Sequence, residues 1–224
     1  MLKRAFCLSI ISIIIAGCST QRIIKPLKKN QQQFAFSGGG PLFQFAGTVI
    51  PMPLSSVSYA KGLTDSITLY TGLQLTNLVY KNLHLDIGGT YGLLKPKGWT
   101  PGITLNAGIN VLSDFREYNI KVFPQLDANA YWDYGADYFM YFGITNWVEL
   151  SKNRAHSEIQ GKQILSGLQF GNTFSRNSCK YTLESKWLAP TRNSKDLTIN
   201  YSTYISGDQP KGAVGIYFSV AKQF

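Results

Sequence analysis

From about Val57 to its last residue the chain repeats one pattern: apolar and polar residues alternate in short stretches, broken by clusters of Gly, Asn, Asp, Ser and Pro. A period of two belongs to the β-strand, whose successive side chains leave on opposite faces. Leu83, Leu85, Ile87, Gly89, Tyr91 and Leu93 alternate with His84, Asp86, Gly88, Thr90 and Gly92. Ile103, Leu105, Ala107, Ile109 and Val111 alternate with Thr104, Asn106, Gly108 and Asn110 in the same way. Ile120, Val122, Pro124, Leu126, Ala128, Ala130 and Trp132 oppose Lys121, Gln125, Asp127, Asn129 and Asp133, and Tyr181, Leu183, Ser185 and Trp187 oppose Thr182, Glu184 and Lys186. Such segments fall near 55–61, 65–76, 82–93, 102–112, 119–133, 137–150, 162–175, 179–188, 196–206 and 213–224. Several are longer than the five or six residues of an average strand. No helical-period stretch intervenes, and Gly, Thr, Tyr and Asn crowd out the helix formers. The expectation is an all-β, antiparallel sheet.

An alternating sheet of this size closes with its apolar face either inward, as a soluble barrel or sandwich, or outward into lipid. The polar face decides between them. It carries mid-strand charge at Asp86, Lys121, Asp127, Glu184 and Lys186, among many Gly, Asn and Thr. Charged residues make up only 15% of the chain, against roughly 25% in an ordinary soluble domain. A narrow lumen suits small residues and compensated charges better than a solvent-facing surface does. Aromatics gather near strand ends (Tyr59, Tyr91, Trp99, Tyr131, Trp132, Tyr134, Tyr138, Trp147 and Trp187), where an interfacial girdle belongs. The pattern predicts an antiparallel up-and-down transmembrane β-barrel of about 10 strands, in a range of about 8–12, over residues 54–224. By parity Tyr70, Phe123, Tyr131, Tyr141 and Tyr217 point inward. His84 and Asp86 share the inner face about 7 Å apart. With Lys121, Asp127, Glu184 and Lys186 they are expected to form a polar network filling the interior, because buried charges must be compensated. A proton relay or a narrow solute channel is the functional alternative.

The first residues have a different character. Lys3 and Arg4 precede a short apolar run from Ala5 to Ala16, too short to span a bilayer comfortably. The run ends in Ile15-Ala16-Gly17-Cys18. This resembles the bacterial lipobox, which implies that residues 1–17 are a signal removed at Gly17–Cys18 and that Cys18 carries lipid, palmitate included. Loss of the signal lowers the formal charge of +10 by two and removes Cys7. With Cys18 acylated, Cys179 is the one thiol left and no intramolecular disulfide forms. Ser19 stands where an Asp would suggest inner-membrane retention, so the resemblance implies the outer membrane. Residues 18–53 are expected to be a lipidated tether and a transitional stretch. The tether bears Arg22, Lys25, Lys28 and Lys29 with no acid over 19–33. Near anionic headgroups each positive charge is worth about 1 kcal/mol, and a merely soluble tether is the alternative. The transitional stretch, Phe34 to Pro53, holds Gly38-Gly39-Gly40, which lacks the strand-to-helix context of a phosphate loop, and the turn-like Pro51-Met52-Pro53.

At the other end Ile216, Phe218, Val220 and the terminal Phe224 share one parity, broken by Lys222. This resembles the last strand of bacterial outer-membrane barrels and implies recognition by the barrel-assembly machinery, alongside lipoprotein export. Such barrels have tight periplasmic turns, and Gly62-Leu63-Thr64-Asp65 reads as one. Ten strands ending in the periplasm would place it outside. An extra strand over Phe34–Phe45 and one miscounted segment would reconcile the two.

Chemistry is sparsely written. No His, Cys, Asp and Glu cluster has metal-ligand spacing, and no phosphate loop, dinucleotide fingerprint or Gly-x-Ser-x-Gly elbow occurs. Positive residues lie in the tether and loops without stacking aromatics, which argues against nucleic acid. The longest loop, Ser151–Lys162, holds His156-Ser157 beside Arg154 and Glu158. Outer-membrane acyl hydrolases pair a His with a Ser, but adjacent residues point apart, so a polar loop is the expectation. The leading class is a lipid-anchored outer-membrane barrel with a structural, accessory or assembly role, no cofactor and no enzyme activity. Its partners would be outer-membrane lipids and an envelope protein complex. A lipid-modifying enzyme and a narrow channel are the alternatives.

Overall fold

The computed structural model describes residues 22–115, 120–135, 138–150, 163–193 and 211–224. Its strands are β1 (Gln32–Phe45), β2 (Thr48–Pro51), β3 (Ser55–Gly62), β4 (Ile67–Gln74), β5 (Asn82–Leu94), β6 (Gly102–Asp114), β7 (Ile120–Asp133), β8 (Tyr138–Val148), β9 (Ile164–Arg176), β10 (Cys179–Asn193) and β11 (Lys211–Gln223). One short helix, α1 (Leu75–Val79), joins β4 to β5. From β3 to β11 every strand pairs with its sequence neighbour, and β1 pairs with both β3 and β11. All these pairings are antiparallel. β2 folds back only on Leu42–Phe45 of β1. Ten strands therefore form a closed up-and-down barrel with no open edge.

Nine of these strands lie where the alternation places them. The tenth is β1, which covers the extra strand suggested over Phe34–Phe45 and starts two residues earlier, so the barrel begins at Gln32 and not at residue 54. The expected segment at 196–206 lies outside the described residues. β10 pairs directly with β11, from Cys179↔Lys222 to Asn193↔Lys211, and the ring closes without it. The glycines that blur the alternation in β1 are what let it close. Gly38 lies under the ring of Phe218 across the seam, where a Cβ would stand 2.6 Å from a ring carbon. Gly39 has a φ of +106°, and a Cβ there would collide with the Ile216 carbonyl.

The pleat sorts residues as a lipid-facing barrel requires. Thr68, Asp86, Thr90, Thr104, Asn106, Asn110, Asp127, Asn129 and Gln169 are buried inside. Leu69, Ile87, Ile109, Leu126, Phe170, Leu183, Ile216, Phe218 and Val220 are exposed outside. Tyr70, Tyr131, Tyr141 and Tyr217 point inward as their parity predicts and are buried, while Phe123 is partly exposed.

Even closure brings both ends of the barrel chain to one rim, where Gln32 N–H donates to the Phe224 carbonyl at 2.9 Å. The turn at 63–66 and the two-residue turn at 177–178 lie on that rim. The end of β8, the start of β9, the end of β10 and the start of β11 lie on the other. The tight turn and the chain end therefore share a side, because β1 adds a strand before Gly62. Outward aromatics gather at the turn rim: Phe34, Tyr59, Tyr91, Trp99, Tyr134, Tyr138 and Phe174. Two residues expected in a girdle are not in one. Tyr131 is buried inside, and Trp147 shares the inward parity and meets His84 edge-on at 6.5 Å.

Candidate functional site

Residues 22–31 of the segment expected to be a tether lie inside the barrel. From the turn rim, Asn30 N–H bonds the Gly62 carbonyl and Lys29 N–H bonds Asp65 Oδ1, both at 2.9 Å. Deeper in, Leu27 N–H donates to Thr68 Oγ1 and Thr90 Oγ1 donates to the Ile23 carbonyl, each at 2.8 Å. Ile23 and Leu27 pack with Ala60 and Tyr70, and Ile24 packs with Tyr131, Phe139 and Tyr141. Lys25 reaches Asp133 at 2.7 Å. Residues 22–31 are a plug. The reason is the apolar content of Ile23, Ile24 and Leu27: buried against lumen aromatics they leave water, which a solvated tether would not achieve.

Arg22 is the innermost described residue of the plug and sits in the centre of the polar network. Its Nη1 donates to Asp86 and to the Tyr70 hydroxyl, the latter at 3.3 Å. Nη2 donates to Gln125 Oε1, and Nε lies 3.6 Å from Asp127. The guanidinium also stands over the Tyr70 ring, 5.4 Å from its centre. Asp127 accepts from Gln125 Nε2, at 2.9 and 3.0 Å, and from the Thr145 hydroxyl. One guanidinium thus serves two carboxylates that are almost wholly buried. It can do so because a planar fork offers several donors in fixed directions.

His84 does not pair with Asp86. Its Nδ1 lies 3.1 Å from Asn77 Nδ2 and its Nε2 lies 3.2 Å from Asn110 Oδ1. An amide nitrogen donates and an amide oxygen accepts, so both contacts fit one neutral imidazole protonated at Nε2. Asn110 Nδ2 then donates to Gln125 Oε1 at 3.0 Å. The result is a directional chain of hydrogen bonds from α1 to Asp127.

A second charged group joins β10 to β8 and β11. Lys186 Nζ lies 2.8 Å from Glu184 Oε1, the Tyr141 hydroxyl donates to Glu184 Oε2, and Lys186 stands 5.0 Å from the centre of the Tyr217 ring. Sequence parity therefore gathers Asp86, Asp127, Glu184 and Lys186 into the lumen, in two groups. Lys121 shares their parity but lies partly exposed toward the long-loop end and joins neither group. The cation that replaces it is Arg22. The legible signal was the surplus of acids over bases on the inner strand face, which called for a cation from elsewhere in the chain.

Part of the wall beside the plug is polar and unbonded. Thr104 Oγ1, both amide atoms of Asn106 and Asn129 Nδ2 are buried with no hydrogen-bond partner among the described residues. Thr104 faces Asn129 and Asn106 faces Asp127 across β6 and β7, so these atoms lie side by side. No group of acids, His and Cys suited to a metal ion occurs among the described residues. Cys18, His156 and Ser157 lie outside the described residues, and Cys179 is a free thiol.

No family model matches this chain, and no curated protein matches it. Among solved structures, the translocator domain of autotransporter NalP from Neisseria meningitidis is similar at 8% identity and a TM-score of 0.49, covering 90% of this chain and 91% of that one. The NanC porin is similar at 9% identity and a TM-score of 0.40, over 86% of this chain and 98% of the porin. The outer membrane protein OprG from Pseudomonas aeruginosa is similar at 9% identity and a TM-score of 0.35, over 90% of this chain and 99% of OprG. The barrel itself is defined by its own strand pairing.

Proposed function

We propose that this chain is a lipid-anchored outer-membrane barrel, held in the bilayer by its strands and by Cys18, with a structural or accessory role in the bacterial envelope. One observation carries the membrane placement: the barrel is inside out. Its outer wall carries exposed apolar side chains on strand after strand, while the mid-strand charges Asp86, Asp127, Glu184 and Lys186 are interior. A water-soluble monomer rarely exposes apolar patches beyond a few hundred Å², whereas lipid favours such a wall. The aromatics at the turn rim support the same placement. The lipobox-like Ile15-Ala16-Gly17-Cys18 supports the anchor. The plug, which fills the turn-side lumen with Ile23, Ile24 and Leu27, supports a barrel that is closed at rest.

The test is made on cells expressing the full chain. The protein is expected in the outer-membrane fraction, and unboiled samples should migrate differently from boiled ones on a denaturing gel. Labelled palmitate should enter the wild type and be absent from Cys18→Ser. Solubility without detergent, with identical migration, would overturn the membrane reading. Labelling of Cys18→Ser would overturn the anchor alone.

A further inference from the structure

We propose that residues 22–29 are a displaceable plug latched by Arg22, and that the lumen behind it conducts small cations when the latch releases. This rests on the membrane placement above and not on the lipid anchor.

Four observations lead to it. First, the barrel does not need the plug: its ten strands close through their own ladder, so withdrawal of residues 22–29 breaks no strand pairing. Second, part of the inner wall on β6 and β7 is polar and suits water. Thr104, Asn106 and Asn129 leave four buried polar atoms without partners among the described residues, and each such atom carries a desolvation penalty that water would remove. Third, the plug is fastened to charge. Its deepest described residue holds Asp86 and Asp127 with one guanidinium, so its departure turns two carboxylates toward the lumen. Carboxylates lining a lumen favour cations. Fourth, of the lumen's other charges, Glu184 and Lys186 pair with each other, and Asp133 loses Lys25 when the plug leaves, which adds to the acidic bias.

The step is a population shift between latched and unlatched states, and its bias is set by the Arg22 contacts. The experiment uses the mature full-length protein in planar bilayers of neutral lipid with potassium chloride, after vesicle flotation has verified insertion. Wild type is expected to be mostly closed with brief openings. Arg22→Gln should raise the open probability about tenfold or more, from the loss of its charge-assisted bonds. Potassium should be preferred over chloride, and adding Asp86→Asn and Asp127→Asn should bring the permeability ratio toward one. A second route leaves Arg22 in place. An ideal Cβ on Gly92 would stand 3.1 Å from Pro26 Cγ, so a Pro26→Cys and Gly92→Cys pair in a Cys179→Ser background is positioned to pin the plug. That protein should be silent when oxidised and open briefly when reduced. Absence of openings in the inserted, reduced protein would overturn the proposal. So would equal conductance in its oxidised and reduced states, or an inserted Arg22→Gln barrel no more active than wild type.

Discussion

Replacing Lys186 by Met tests whether the inner charges hold the barrel together. In the folded chain the ammonium meets Glu184 at 2.8 Å, and both side chains are nine-tenths buried. Removing it leaves Glu184 facing the lumen with the Tyr141 hydroxyl as its remaining contact of those described above. Breaking a buried pair from one side costs on the order of 3–5 kcal/mol, since the surviving charge stays desolvated. Adding Glu184→Leu removes that charge and should recover much of the loss. The recovery is incomplete, because Tyr141 is 2% exposed and its hydroxyl then lacks its acceptor, at about 1–3 kcal/mol. A third change, Tyr141→Phe, removes that hydroxyl and should return stability close to wild type. The assay is urea unfolding in lipid vesicles, followed by loss of the fast-migrating gel form, with the slope compared between variants. The two single changes and their double should show a coupling of about 2–3 kcal/mol. A coupling within about 0.5 kcal/mol of zero would mean that lumen water solvates each charge separately, and the reasoning would fail.

Other outcomes follow from the same structure. Gly39→Ala should impair closure of the β1–β11 seam, through a strained φ worth about 1–3 kcal/mol and the collision with Ile216; the yield of heat-modifiable barrel measures it. Gly47→Ala is the matched control, with a φ of +79° and nothing within 4 Å of its Cβ, and should lose about 1–2 kcal/mol at most. His156→Ala and Ser157→Ala should leave the lipid A and phospholipid acyl patterns unchanged by mass spectrometry. A shift in those patterns would favour the lipid-modifying reading.

Strand identity was legible because a strand's period of two is local: each residue's face follows from its neighbours alone. Thus Thr104, Asn106 and Asn110 point inward and Ile109 points outward as their alternation requires. β1 was not legible in the same way. Its Gly38-Gly39-Gly40 stretch has no side chains to alternate, so a strand over Phe34–Phe45 followed only from the sidedness of the Gly62 turn, and Phe218 across the seam shows how it pairs.

The sequence by itself determined the strands from β3 onward, their inner and outer faces, and the gathering of Asp86, Asp127, Glu184 and Lys186 within one lumen. Only the tertiary structure decided who pairs with whom. Asp86 and Asp127 lie on β5 and β7, and β6 separates them. The cation that joins them comes from Arg22, 64 positions before Asp86. Parity says which face a side chain takes, but not which distant segment will fill the space that face encloses. That choice is made when the ring closes: the enclosed carboxylates need a charge, and the apolar residues beside Arg22 need a place away from water.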